Sequence, residues 1–203
     1  MDDSHGSTRR PVNSARALEL LKEGNQRYVL GDSQSVSATP EVRHTLAAEG
    51  QSPFAAILGC ADSRVPPEII FDAGIGGLFV VRTAGNTADA IATGSVEFAV
   101  ERLHVRLIVV LGHQDCGAVT AAVSGGTDSP NMAAIVAEIQ PSLDEAREAE
   151  AEPTICKYED ANIRHTVSKL KGSPLLAQRV QDGSLKIVGS KYDLKTGEVC
   201  FWD

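Results

Sequence analysis

Three segments of the chain, PFAAILG (53–59), GLFVVRT (77–83) and VRLIVVLG (105–112), are apolar without alternation. A strand with one wet face alternates apolar and polar residues, so an unbroken apolar strand needs cover on both faces. Parallel strands gain that cover from crossover helices, and ADAIATGSVEFAVERL (88–103), between the second and third runs, has the length and apolar spacing of one. A fourth run, LKIVGSKYDL (185–194), precedes the turn KTG (195–197) and the short segment EVCFW (198–202). That turn predicts a final strand antiparallel to its predecessor. The predicted fold class is α/β: a mostly parallel central sheet of about four parallel strands plus an antiparallel C-terminal edge strand, flanked by helices.

The remaining segments supply the helices. NSARALELLKEGNQRYVLGDS (13–33) repeats apolar residues at helical spacing behind Asn13 or Ser14 as a cap. TPEVRHTLAAEGQ (39–51) offers Thr39 as a cap, Pro40 at the first helical position and Gly50 as a stop. Residues 131–170 read as mostly helical with breaks at Pro141 and Pro153, and SPLLAQRVQDG (173–183) as a further capped helix. The expected organisation is a tail over 1–13 and one catalytic domain over 14–203, in which 14–50 forms a helical arm. At 203 residues one domain with a substantial core is the default.

Charge and composition narrow the partners. Nineteen Lys and Arg stand against 27 Asp and Glu, a net charge of −8, with no long basic cluster. Nucleic acid and anionic membrane are therefore not expected partners. MDDSHGSTRRPVNSA (1–15) has no apolar stretch of the kind an export signal needs, so the expected location is cytoplasmic, or an organelle lumen such as a chloroplast or mitochondrion had a transit peptide been removed. The acidic stretch DEAREAEAE (144–152) reads as a solvated helix face.

Two strand exits carry chemistry. AILGCADSRV (56–65) leaves the first apolar run and VVLGHQDCGAV (109–119) the third, each placing a metal-capable residue just past Leu-Gly. Ligands of open parallel sheets gather outside the carboxyl ends of the strands, where strand order reverses. If the two strands are neighbours, Cys60, His113 and Cys116 converge. Two thiolates and an imidazole suit Zn²⁺, and three protein ligands leave a fourth position for water or substrate. Asp62, two residues past Cys60, can reach the metal or its water, and Arg64 can hold it by a two-pronged contact. Plain packing in the interior is expected for Cys156 and Cys200, and a tail or helix-face position for His5, His44, His104 and His165. DAGIGGLF (72–79) lacks the dinucleotide-binding spacing and leads into a strand, which argues against a zinc alcohol dehydrogenase.

CADSRVPPEIIFDAGIGGLFVVRTAGN (60–86), GSVEFAVERL (94–103), VVLGHQDCGAV and GSLKIVGSKYDLKTGEV (183–199) together resemble a β-class carbonic anhydrase. The resemblance implies a zinc enzyme for reversible hydration of carbon dioxide to bicarbonate and a proton by metal-bound hydroxide, and a homodimer, or an assembly of dimers, embraced by the amino-terminal helical arm. By motif position it implies Cys60, His113 and Cys116 as metal ligands and Asp62 and Arg64 as the catalytic pair. Gln51, nine residues before Cys60, matches a substrate-facing glutamine of part of the family, and Phe79 is a candidate for the pocket that receives carbon dioxide. Another part of the family has a second bicarbonate pocket built on a Trp, an Arg and a Tyr. Here those places hold Ile57, Arg82 and Tyr192, so that pocket is not expected, and a resting site open to water is. Two other readings keep the site: a carbonyl sulfide or carbon disulfide hydrolase on the same fold, and a non-catalytic zinc protein that binds bicarbonate.

Overall fold

In a computed structural model, residues 12–34, 38–127 and 129–202 are described. Most of the expected tail, with His5, lies outside them. The central sheet has five strands: β1 Ala55–Cys60, β2 Leu78–Thr83, β3 Leu107–His113, β4 Lys186–Tyr192 and β5 Val199–Trp202. Their order is β2-β1-β3-β4-β5. β1 is parallel to β2 and β3, β3 is parallel to β4, and β5 returns antiparallel to β4. The expected four parallel strands and antiparallel edge are all present.

The chain steps outward from β1 to β2, then crosses back over β1 to lay down β3. Strand order therefore reverses between β1 and β3, and the loops leaving their carboxyl ends diverge. β1 and β3 are buried on both sides, as their composition requires, while β2, at the sheet edge, is buried only at Leu78 and partly covered beyond it. Ala56, Leu58, Ile108, Val110 and Ile187 pack on one face with the crossover helix α4 (Ala90–Leu103) through Val96 and Ala99. Ala55, Ile57, Leu107, Val109 and Leu111 point the other way, onto Ala17 and Leu21 of α1 (Ser14–Leu30) and Ile70 of the short α3 (Pro67–Ile70). Asn13 caps α1 by accepting the Arg16 N–H at 2.8 Å. Thr39 likewise caps α2 (Pro40–Glu49), a helix with no buried residue.

A third apolar cluster sits over the carboxyl end of the sheet. It joins α5 (Gly117–Val123), α6 (Pro130–Ala149) and α7 (Ile155–Lys171) through Val119, Ile139, Leu143 and Tyr158, and includes Cys60 and Cys116. α8 (Pro174–Gln181) adds Leu176 to the first cluster.

Two expectations are corrected. Pro141 does not break its helix: α6 runs through it without interruption. Pro141 and Ala137, whose carbonyl loses its helical donor, are both exposed, so water can satisfy that oxygen while buried Ile139, Leu143 and Ala146 hold the helix down. Cys156 and Cys200 are not packed inside but exposed, one in the first turn of α7 and one on the edge strand β5. Among the described residues no helix is long and apolar enough to cross a membrane.

Candidate metal centre

Cys60 is the last residue of β1 and His113 the last of β3, and the ladder between these strands pairs Gly59 with Leu111. The register puts both side chains at one end of the sheet. Gly112 lets α7 close over this end, since a Cβ there would lie 2.4 Å from Ile163. The chain then doubles back through Asp115, at φ +52°, to place Cys116 at the start of α5. The result is a buried group in which a donor atom from each of Cys60, His113 and Cys116 lies within 4.8 Å of the others.

The electrostatics fit a cation. The His113 Nδ1–H donates to the Gln114 carbonyl at 2.7 Å, which leaves Nε2 as the lone-pair nitrogen. That Nε2 is buried and has no hydrogen-bond partner. Burial disfavours a charged ring, but the adjacent Cys60 sulfur, the Gln114 carbonyl and the Asp62 carboxylate together outweigh it and raise the His113 pKa. The two thiols compete for one negative charge: contact with Cys116, and further with His113 and the Gly85 N–H, lowers the Cys60 pKa, while contact with Cys60 raises that of Cys116. A divalent ion would relieve that competition, because it favours both sulfurs deprotonated and takes up the idle imidazole lone pair.

Gly85 belongs to the 3₁₀ turn Ala84–Asn86 after β2. Its φ of +72° aims its N–H at Cys60 Sγ, 3.4 Å away. The buried Asn162 of α7 fixes that turn by donating to the Gly85 carbonyl at 2.7 Å. From the same helix, Glu159 accepts the backbone N–H of Cys116 at 3.2 Å. Sequence reasoning missed all three. The available signal was the pair of polar residues, Glu159 and Asn162, about one turn apart on the buried helix stripe that also holds Tyr158, Ile163 and Leu170.

Asp62 and Arg64 stand at the rim. Asp62 Oδ1 accepts both the backbone N–H of Arg64, at 2.9 Å, and its Nε–H, at 3.0 Å, while Oδ2 accepts from Nη2 at 2.7 Å. Arg64 Nη2 also donates to the Asp115 carbonyl at 3.3 Å, which ties the two loops together. Asp62 Oδ2 lies 3.9 Å from His113 Nε2. Hydrogen bonding to the Arg64 guanidinium holds the Asp62 carboxyl well below the usual carboxylate range. Arg82 donates its Nε–H to the Cys60 carbonyl at 2.8 Å, and the Tyr192 and Tyr28 hydroxyls meet at 3.1 Å, so both residues act as hydrogen-bonding struts.

Gln51 and Phe79 are not brought to this group within one chain. Phe79 pairs with Ala56 at the entry end of the sheet and stacks on Phe98, with ring centroids 6.3 Å apart. Gln51 precedes β1, whose length puts roughly 17 Å between its first and last residues.

A family model described as carbonic anhydrase matches residues 55–199. Carbonic anhydrase 2 of Mycobacterium tuberculosis is 43% identical over 197 residues, covering 95% of this chain and 94% of that protein. Among solved structures, the β-carbonic anhydrase CcaA superposes with a TM-score of 0.76 at 26% identity, over 92% of this chain and 95% of that one. A structure from work on two tetrameric β-carbonic anhydrases of Sordaria macrospora gives 0.72 at 23% identity, over 93% and 100%. Fold, site and sequence agree on a β-class metalloenzyme architecture. The chain belongs to the carbonic anhydrase family.

Proposed function

We propose that the chain catalyses the reversible hydration of carbon dioxide to bicarbonate and a proton, with a zinc ion held by Cys60, His113 and Cys116. The observation that carries this reading is the closure of a Cys-His-Cys group at the β1/β3 reversal with an Arg-clamped carboxylate beside it. A set of two thiolates and one imidazole matches zinc sites that keep a position open for chemistry. When bound there, zinc supplies the Lewis acidity that makes hydroxide available from water near neutral pH.

The protein's own part is orientation. Asp62 stays ionised at working pH and offers a fixed acceptor to the O–H of the attacking nucleophile, which aims the nucleophile's lone pair at the substrate carbon. Arg64 grips both carboxylate oxygens and so restrains Asp62 from turning into the metal position, which supports a resting site open to water. Ile57 lies buried in the sheet where a bicarbonate pocket of the other design has its Trp, and Arg82 is engaged with the Cys60 carbonyl. We therefore assign this chain no such pocket.

A substrate role for Gln51 and Phe79 requires a second copy of the chain to present them, and a homodimer provides one. Within the 14–50 arm, α1 rests on its own sheet through Ala17 and Leu21, so α2, without a buried residue, is the part left to meet the partner. Cytoplasmic location is the accompanying proposal. Carbonyl sulfide and carbon disulfide hydrolysis are not favoured, since the relatives found carry the name carbonic anhydrase.

Metal analysis together with stopped-flow carbon dioxide hydration, run beside a sulfide-release assay on carbonyl sulfide, tests the reading. One zinc per chain with carbon dioxide as the preferred substrate is expected. A metal-replete protein that turns over neither gas would overturn it, and faster release from carbonyl sulfide would reassign the substrate.

A further inference from the structure

The contact between Glu159 and Cys116 is not accounted for by packing. Glu159 lies in the first turns of α7, on a face it shares with Tyr158, Asn162 and Ile163, and only 3% of its side chain is exposed. A buried carboxylate is tolerated when it is paired and its oxygens are bonded. Here Oε2 lies 2.8 Å from the Lys191 ammonium, itself 11% exposed, and Oε1 accepts the Cys116 N–H. Lys191 sits on β4 opposite Gly112, one residue before His113, so the ion pair is registered directly beside the strand that delivers the histidine. Its other contacts are Asp160 Oδ1 at 2.9 Å and, on Cys156, the carbonyl and Sγ, each at 3.2 Å.

Replacing a buried ion pair by apolar residues of similar size is often neutral for stability, so stability alone does not call for this one. What the pair does hold is the backbone of a metal-binding sulfur. Cys116 begins α5 without a side-chain cap bond of its own, directly after a left-handed Asp115. Only one side-chain torsion separates its backbone from Sγ, so the orientation of its peptide plane decides where the sulfur stands. Lys191, which Glu159 shares with Asp160, offsets part of the negative charge that the anchor brings toward the two thiolates.

We infer that Glu159, with Lys191 as its counter-ion, is a positioning residue for the metal centre, acting through the backbone N–H of Cys116. The inference rests on Cys60, His113 and Cys116 holding zinc.

The test uses the full chain and four proteins: unmodified, Glu159→Ala, Glu159→Gln, and the double variant Glu159→Leu with Lys191→Met. Zinc affinity is read by competition with a chromogenic chelator, and the sulfur geometry by the thiolate-to-metal charge-transfer band after cobalt(II) substitution. Removing outer-shell partners of metal ligands typically weakens metal binding about 10–100-fold, and Glu159→Ala should fall in that range with an altered cobalt spectrum. Glu159→Gln keeps an oxygen that can accept the Cys116 N–H and should recover most of the affinity. The double variant removes the anchor together with its counter-ion, leaving only the part-exposed Asp160 carboxylate without its lysine, and should fold yet bind zinc as weakly as Glu159→Ala. Parental affinity and spectrum in the folded double variant would overturn the inference, as would Glu159→Gln binding no better than Glu159→Ala. An unmodified chain that takes up no zinc would instead remove the metal-centre reading beneath it.

Discussion

Gly85→Ala tests whether the turn after β2 couples the fold to the metal centre. At φ +72° an L-residue pays a left-handed cost of about 1–2 kcal/mol. The new methyl would also lie 2.8 Å from Ile139 Cδ1 and 3.1 Å from Ala118 Cβ, inside the third apolar cluster. Ile139 is fully buried and has little room to retreat, so overpacking adds about 1–3 kcal/mol. The destabilisation of about 2–5 kcal/mol corresponds to a fall in Tm of roughly 4–20 °C for a chain of this size. Any shift of the turn also moves the Gly85 N–H off Cys60 Sγ, so metal affinity should drop with stability. Calorimetry at fixed protein concentration, with and without added zinc, measures both. A Tm within about 2 °C of the parent and unchanged zinc binding would refute the argument, because it would mean that turn and cluster relax independently of the sulfur.

Cys60→Ser should lose metal and activity together, and normal metal content in the folded variant would remove Cys60 from the ligand set. Asp62→Asn should keep its zinc while turnover falls by about 100-fold, the scale of a lost orientation effect, as read by stopped-flow hydration and metal analysis. The same variant carries a stability signature in the metal-free protein. Asp62 has a folded pKa below its unfolded value, so its contact with Arg64 stabilises fully above about pH 4 and the gain is lost as pH falls through the lower folded pKa. The Tm gap between parent and Asp62→Asn should therefore narrow in acid, from a gap already small because Arg64 is half exposed. Cys156→Ala and Cys200→Ala should leave metal content unchanged; loss of zinc from either folded variant would reassign the ligands.

The site was legible where chemistry and topology constrain each other. Doubly apolar runs require a parallel sheet, such a sheet gathers ligands where strand order reverses, and the cysteine and histidine at two strand exits could then meet only if β1 adjoined β3. It does. Gln51 and Phe79 lie away from the metal group within one chain, so a substrate role for them depends on a second copy. Nine residues before Cys60 is not near it when the last six of the interval form an extended strand, and a residue registered with Ala56 lies at the wrong end of the same ladder. Strand length alone, at about 3.3 Å per residue, was enough to place both beyond reach within one chain. Cys156 and Cys200 were misplaced because a residue type's average burial says nothing about which side of an edge strand or helix start it occupies. The polar residues of α7 reverse that lesson. Glu159 and Asn162 lie among Tyr158, Ile163 and Leu170 on a stripe that must be buried, and a buried polar group must find a partner. Their partners include the Cys116 N–H, on the residue that carries one sulfur, and the Gly85 carbonyl, on the turn whose N–H reaches the other. A helix with no metal ligand of its own is thus bonded to the backbone around both thiols, and the sequence alone does not reveal what its buried polar residues hold.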